Sequence, residues 1–143
     1  MKANLFKRFP LLILAMALTM VACEPDEGPV DETDIRDEFI GRWAVTATSS
    51  LNGNSTYNVD IDFDTTTTDK VELINFSNAG TNLFVLGTVS TTANHVITIP
   101  FQDLDGSSIN GFATSGNNNT LNFEYTSDNG IETDSITAVF VKQ

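Results

Sequence analysis

Three aspartates, Asp60, Asp62 and Asp64, alternate with apolar residues in the run Tyr57-Asn-Val-Asp-Ile-Asp-Phe-Asp64. On an extended strand alternate side chains share one face about 6.6–6.8 Å apart. Calcium could use such carboxylates only with ligands from elsewhere, and the loop glycine and distal glutamate of an EF-hand are missing. The run therefore reads as a solvated outer face. Asp103-Leu-Asp105-Gly106-Ser107 holds a fragment of a calcium loop, but the twelfth position from Asp103 is Thr114, which supplies no bidentate carboxylate. An Asp-Gly hairpin accounts for it. No metal site is expected.

His95 is the single imidazole and has no nucleophile at a motif spacing, so it reads as a strand-end residue and not as a general base. Glycoside hydrolysis needs two acids facing across a cleft, and nothing here pairs them. There is no phosphate-binding glycine loop. The expectation is no enzymatic activity, no cofactor, and ligand-binding residues that spacing alone does not name.

Charge and cysteine usage narrow the partners. The 143 residues carry 19 acids, 7 bases and one cysteine. All the acids follow residue 22, so residues 23–143 carry −15, a surface that repels nucleic acid. A single cysteine excludes an intrachain disulfide and a Cys-based zinc cluster.

Lys2, Lys7 and Arg8 precede the apolar run Leu11–Leu18 and then small residues, the layout of an export signal over residues 1–22. From Phe9 to Ala22 the apolar stretch is about 14 residues, short of the roughly 20 that span a bilayer. Met20-Val-Ala-Cys23 resembles the lipobox of bacterial lipoproteins, with Met20 in place of the usual Leu. That resemblance implies cleavage before Cys23 and acylation of its thiol, an anchor to the membrane. Residues 24–38 hold eight of the acids and two prolines with almost nothing apolar, and read as a disordered tether reaching about 50 Å when extended. An acidic stretch after the lipidated Cys resembles the signal that sends Bacteroidota lipoproteins to the outer face of the outer membrane. Glu24, in place of Asp, does not match the inner-membrane retention signal of enteric bacteria.

From Phe39 onward the period is two, and no helical stripe appears. Eight strand candidates follow: Trp43–Ser49, Tyr57–Phe63, Lys70–Ser77, Asn82–Thr91, His95–Gln102, Ser107–Ser115, Thr120–Ser127 and Asp134–Lys142. Between them lie short links rich in Asn, Gly and Asp, which reverse strands cheaply and leave no room for helical crossovers. Residues 39–143 are therefore expected to form an all-β domain, an eight-stranded antiparallel up-and-down β-barrel, with a β-sandwich as the alternative. Apolar first and last strands favour closure, because pairing them removes two edges. Gly87 and Gly111, inside strand patterns, permit the bends a small barrel needs.

Phe39-Ile-Gly41-Arg-Trp43 resembles the Gly-x-Trp motif that opens the first strand of lipocalins. The resemblance implies that Trp43 plugs one end of the barrel under a basic residue of the last strand, here Lys142 instead of Arg. More widely, Phe39–Trp43, Val71–Phe76, Ile97–Gln102, Ile109-Asn-Gly111 and Ala138–Lys142 resemble small Bacteroidota lipoproteins with a lipocalin-like (calycin-like) barrel. It implies an outer-membrane location, lipid-anchored and exposed at the cell surface, and little about activity. Two functions are in view: a non-enzymatic binding module for a small apolar or sugar ligand held in the barrel mouth, or an accessory interaction protein of an outer-membrane complex with a solid core.

Overall fold

The computed structural model describes residues Thr33–Gln143; the expected signal sequence, Cys23 and residues 24–32 of the expected tether lie outside the described residues. Alternating apolar and polar residues become eight strands: β1 (Gly41–Ser49), β2 (Gly53–Phe63), β3 (Lys70–Ile74), β4 (Phe84–Val89), β5 (Ile97–Leu104), β6 (Ser107–Ser115), β7 (Thr120–Asp128) and β8 (Thr133–Lys142). Each pairs antiparallel with the next, and β8 closes on β1 with Trp43 opposite Lys142 and Ser49 opposite Ile136. The barrel is closed, so no sandwich forms.

Burial follows the period of two. In β8, Asp134, Ile136, Ala138 and Phe140 face inward while Ser135, Thr137, Val139 and Val141 face out. At the proximal end of the barrel the chain enters β1 and leaves β8. The distal end carries the β1–β2, β3–β4, β5–β6 and β7–β8 connections.

Three local expectations are corrected. The third strand does not run to Ser77. It stops at Ile74, and Phe76–Asn78 form a 3-10 turn flanked and broken by left-handed residues, with φ of 62° at Asn75, 56° at Ser77 and 60° at Asn78. Asn75 stabilises this break, donating from Nδ2 to the Asn58 carbonyl at 2.7 Å and accepting from Gly80 N–H at 2.8 Å. The reversal drives Phe76 into the barrel, where its ring lies 4.7 Å from Tyr125, 5.7 Å from Phe123 and 6.3 Å from Phe140.

The fifth strand runs past Gln102 to Leu104, because a bulge between Ile99 and Gln102 shifts its register and turns Leu104 inward. Finally, the domain begins before Phe39. Arg36 is buried, and its Nη1 donates to the carbonyls of Asp64, Thr67 and Lys70 at 3.0, 2.8 and 3.0 Å. Residues 33–38, expected within the tether, therefore belong to the proximal end, because a guanidinium there closes the β2–β3 loop.

Gly87 shows why small residues recur inside these strands. A Cβ there would sit 2.6 Å from Ile97 Cγ2, so the barrel wall closes only without a side chain at that position.

Candidate functional site

Most of the carboxylates that spacing made interesting hold the fold. Asp60 accepts from Arg42 Nε and Nη2 at 2.7 and 2.9 Å, a cross-strand pair set by the β1–β2 register. Asp62 accepts from Phe63 N–H, and Asp64 accepts from Thr66 and Thr67 in the loop after β2. Asp105 and Gly106 both take positive φ, 53° and 80°, which makes Asp103–Ser107 a tight hairpin. Among the described residues no three or more His, Cys, Asp or Glu side chains come together to hold a metal ion.

Trp43 is buried at the proximal end, where its Nε1 donates to the Phe39 carbonyl at 2.8 Å. Lys142 Nζ lies 5.6 Å from the indole centroid and donates to the Glu38 carbonyl at 2.7 Å. Gly41, at φ 127°, lets the chain turn beside that lysine. Arg36 bonds both oxygens of Asp34 and holds that carboxyl down at about 2.

At the distal end the interior becomes polar. Tyr125 donates to Ser77 Oγ at 3.3 Å, and the Tyr57 hydroxyl lies 3.4 Å from that of Tyr125. Burial pushes both phenols above their ordinary range, so both stay protonated. Nearby, Asp134 accepts from Ser49 Oγ at 2.6 Å, Ser50 Oγ at 2.9 Å and Leu51 N–H at 3.2 Å, tying the β1–β2 turn to β8.

Burial alone would raise the Asp134 carboxyl, but these donors outweigh it and hold it below the usual carboxylate range. A depressed folded pKa contributes stability above the unfolded value of about 3.9, lost as pH falls through the folded value. Asp134→Asn is therefore expected to cost about 1–2 kcal/mol at pH 7. Paired urea titrations from pH 7 to pH 2 should show the gap between wild type and variant closing on the acid side. A gap of constant size would mean that the charge at Asp134 does not matter.

Phe76 occupies the interior beside Phe123, Tyr125 and Phe140. At the proximal mouth a small cleft of about 250 Å³ lies beside Trp43, Leu121 and Lys142, and a larger one lies on the outer wall. The outer wall of β1, β6, β7 and β8 carries an open groove of about 500 Å³. Its floor is the backbone around Gly111, where a Cβ would collide with Tyr125 Cβ and the Glu124 carbonyl; the missing side chain lets β6 lie close against β7 at that pair. Around that floor stand Phe112, Asn110, Glu124, Thr126, Ser135 and Thr137. Thr126 Oγ1 donates to Asn110 Oδ1 at 2.7 Å, which turns the two amide protons of Asn110 Nδ2 away from that bond. His95 stacks on Phe112 with centroids 3.8 Å apart and holds the ring in place. An aromatic ring beside amide donors, hydroxyls and a carboxylate acceptor can stack on one face of a ligand and hydrogen-bond its rim.

None of these groove residues was named from sequence as a binding residue; Gly111 entered only as a bend and within the barrel resemblance, and Asn110 only within that resemblance. Their signal was the polar side of the alternation in Asn110-x-Phe112, Glu124-x-Thr126 and Ser135-x-Thr137, which reads only as an outer face until the register places them side by side.

No family model matches the chain, and no curated protein matches it. Among solved structures it is similar to a "putative outer membrane protein" of Bacteroides fragilis, at 20% identity and a TM-score of 0.44, over 77% of this chain and 53% of that one. The chain thus spans about half the length of that protein.

Proposed function

We propose that this chain is an outer-membrane lipoprotein, anchored through Cys23, whose barrel is a non-enzymatic binding module taking a sugar in its outer groove. One observation carries the ligand reading: Phe112, Asn110, Glu124 and the neighbouring hydroxyls line a concave surface on the wall of a barrel whose interior Phe76 enters from the distal end. Sugars present apolar faces and a rim of hydroxyls, and this lining offers a ring and polar groups of both senses. The anchor rests on Met20–Cys23 and the export signal before it. An acidic chain is suited to neutral or basic ligands.

The full chain, in detergent micelles, is expected to bind at least one neutral oligosaccharide on a glycan array. Phe112→Ala and Glu124→Gln should each weaken that binding by about tenfold, corresponding to about 1.4 kcal/mol. Glu124 is exposed, so its variant should keep the wild-type melting temperature. A chain that binds no glycan, or binds one equally well in both variants, would defeat this reading.

A second reading, an accessory protein of an outer-membrane complex with a solid core, draws on the buried apolar core and on the exposed Val139 and Val141 of β8.

A further inference from the structure

β4 and β5 pair only near the proximal end, where Thr88 lies opposite Thr98 and Val89 opposite Ile97. The residue two beyond Thr98, next in turn to face β4, is Pro100, which has no N–H and ends the ladder. The bulge that follows carries β5 out of register. A side chain fills the place of the missing strand. Leu86 N–H donates to Gln102 Oε1 at 2.8 Å, and Gln102 Nε2 donates to the Leu86 carbonyl at 2.8 Å.

Leu86 thus keeps the donor and acceptor contacts of an antiparallel pair, made to an amide that is not backbone. Two residues on, Phe84 turns its N–H and C=O to the same side by the period of the strand, where the ladder gives them no partner. The seam is flanked by exposed aromatic rings, Phe84 at 47% and Phe101 at 75%.

We propose that this seam binds an extended, basic peptide segment of another polypeptide, which adds to the Phe84–Leu86 edge of β4 by displacing the Gln102 amide. A peptide group offers what that amide offers, one donor and one acceptor, and a strand would also satisfy Phe84. Phe84 and Phe101 would cover its outward side chains. Glu72, opposite Leu86 on β3, and the exposed Asp103 and Asp105 at the end of β5 favour a basic guest. Residues 24–32 of this chain, with five acids and two prolines, do not fit that description. The seam lies on β4 and β5 and shares no residue with the outer groove, so this inference does not depend on the sugar reading.

The probe is a capped eight-residue peptide of alternating valine and lysine, titrated into the full chain in detergent micelles. The amide signals of Phe84 and Leu86 are expected to move on binding. The same peptide N-methylated at alternate residues, with its side chains intact but the edge-facing donors gone, should bind about tenfold more weakly. Gln102→Ala, freed of the internal competitor, should bind several-fold more tightly. If that variant does not fold, the N-methyl comparison on the wild type decides alone. The proposal is overturned if the plain peptide does not bind, if N-methylation changes nothing, or if the shifted signals lie at Asn110–Phe112 instead.

Discussion

Phe76→Ala is expected to lower stability by about 3–5 kcal/mol, the range for truncating a phenylalanine in a packed core. Phe76 is fully buried, and its ring meets Phe123 and Tyr125 of β7 and Phe140 of β8. Much of that loss comes from the hole left behind, because closed barrel walls relax little around a missing ring. A domain of this size typically holds about 5–15 kcal/mol in total, so the variant should unfold at a markedly lower urea concentration. The hole would be apolar, so benzene should raise the melting temperature of Phe76→Ala and leave the wild type unchanged. A loss below about 1 kcal/mol, outside the core-truncation range, would mean that the β3–β4 connection does not plug the barrel in solution. The interior would then be open to a ligand, and the mouth would replace the outer groove as the place to look.

The strand order was legible because its causes are local. Tyr57, Val59, Ile61 and Phe63 alternate with polar residues, and Asn, Gly and Asp occupy the reversals, so neither signal depends on distant contacts. Closure was legible too, from two apolar-patterned outer strands that meet as β1 and β8. The errors fall where the alternation slips phase. Val71 and Leu73 share a face, and Phe76 then falls on the other parity, which marks a break after Ile74 and not a longer strand. Ile97 and Ile99 are followed by Leu104 with Pro100 between them, and that slip is the bulge. Both were present as changes of parity, each next to a residue that strands avoid or that tolerates left-handed angles.

Arg36 was hidden for a different reason. Its neighbours Asp34, Asp37 and Glu38 make the segment look solvated, whereas its partners are the main-chain carbonyls of Asp64, Thr67 and Lys70. A carbonyl carries no residue identity, so no pattern of side chains announces it. The outer groove was equally illegible. Asn110, Glu124 and Ser135 sit on three strands, and they form one surface only because Gly111 pairs with Tyr125 and Tyr125 with Ile136. The seam at Gln102 was half visible, since Pro100 forbids the ladder, but which amide replaces it depends on how far β5 has shifted.

At the opposite end of the barrel from Phe76, Trp43→Ala is expected to cost a similar amount, about 3–5 kcal/mol. The indole is only 2% exposed, donates to the Phe39 carbonyl and lies beneath Lys142. Truncation therefore removes apolar burial, orphans a carbonyl and leaves the lysine without its ring. Trp43→Phe separates these losses: it keeps an aromatic body and removes only the donor, so it should cost about 1–2 kcal/mol. Unfolding must be followed by circular dichroism, because both variants lack the single tryptophan. In the wild type that tryptophan reports on the proximal end alone, and its fluorescence should change at the same urea concentration as the circular dichroism if the barrel unfolds as one unit. Should Trp43→Ala cost less than about 1 kcal/mol, the indole does not plug the barrel and the segment from Arg36 to Phe39 is not packed on it. Should the two wild-type transitions separate, the proximal end opens before the walls do, and its turn is a detachable lid on a barrel held by Phe76 at the other end.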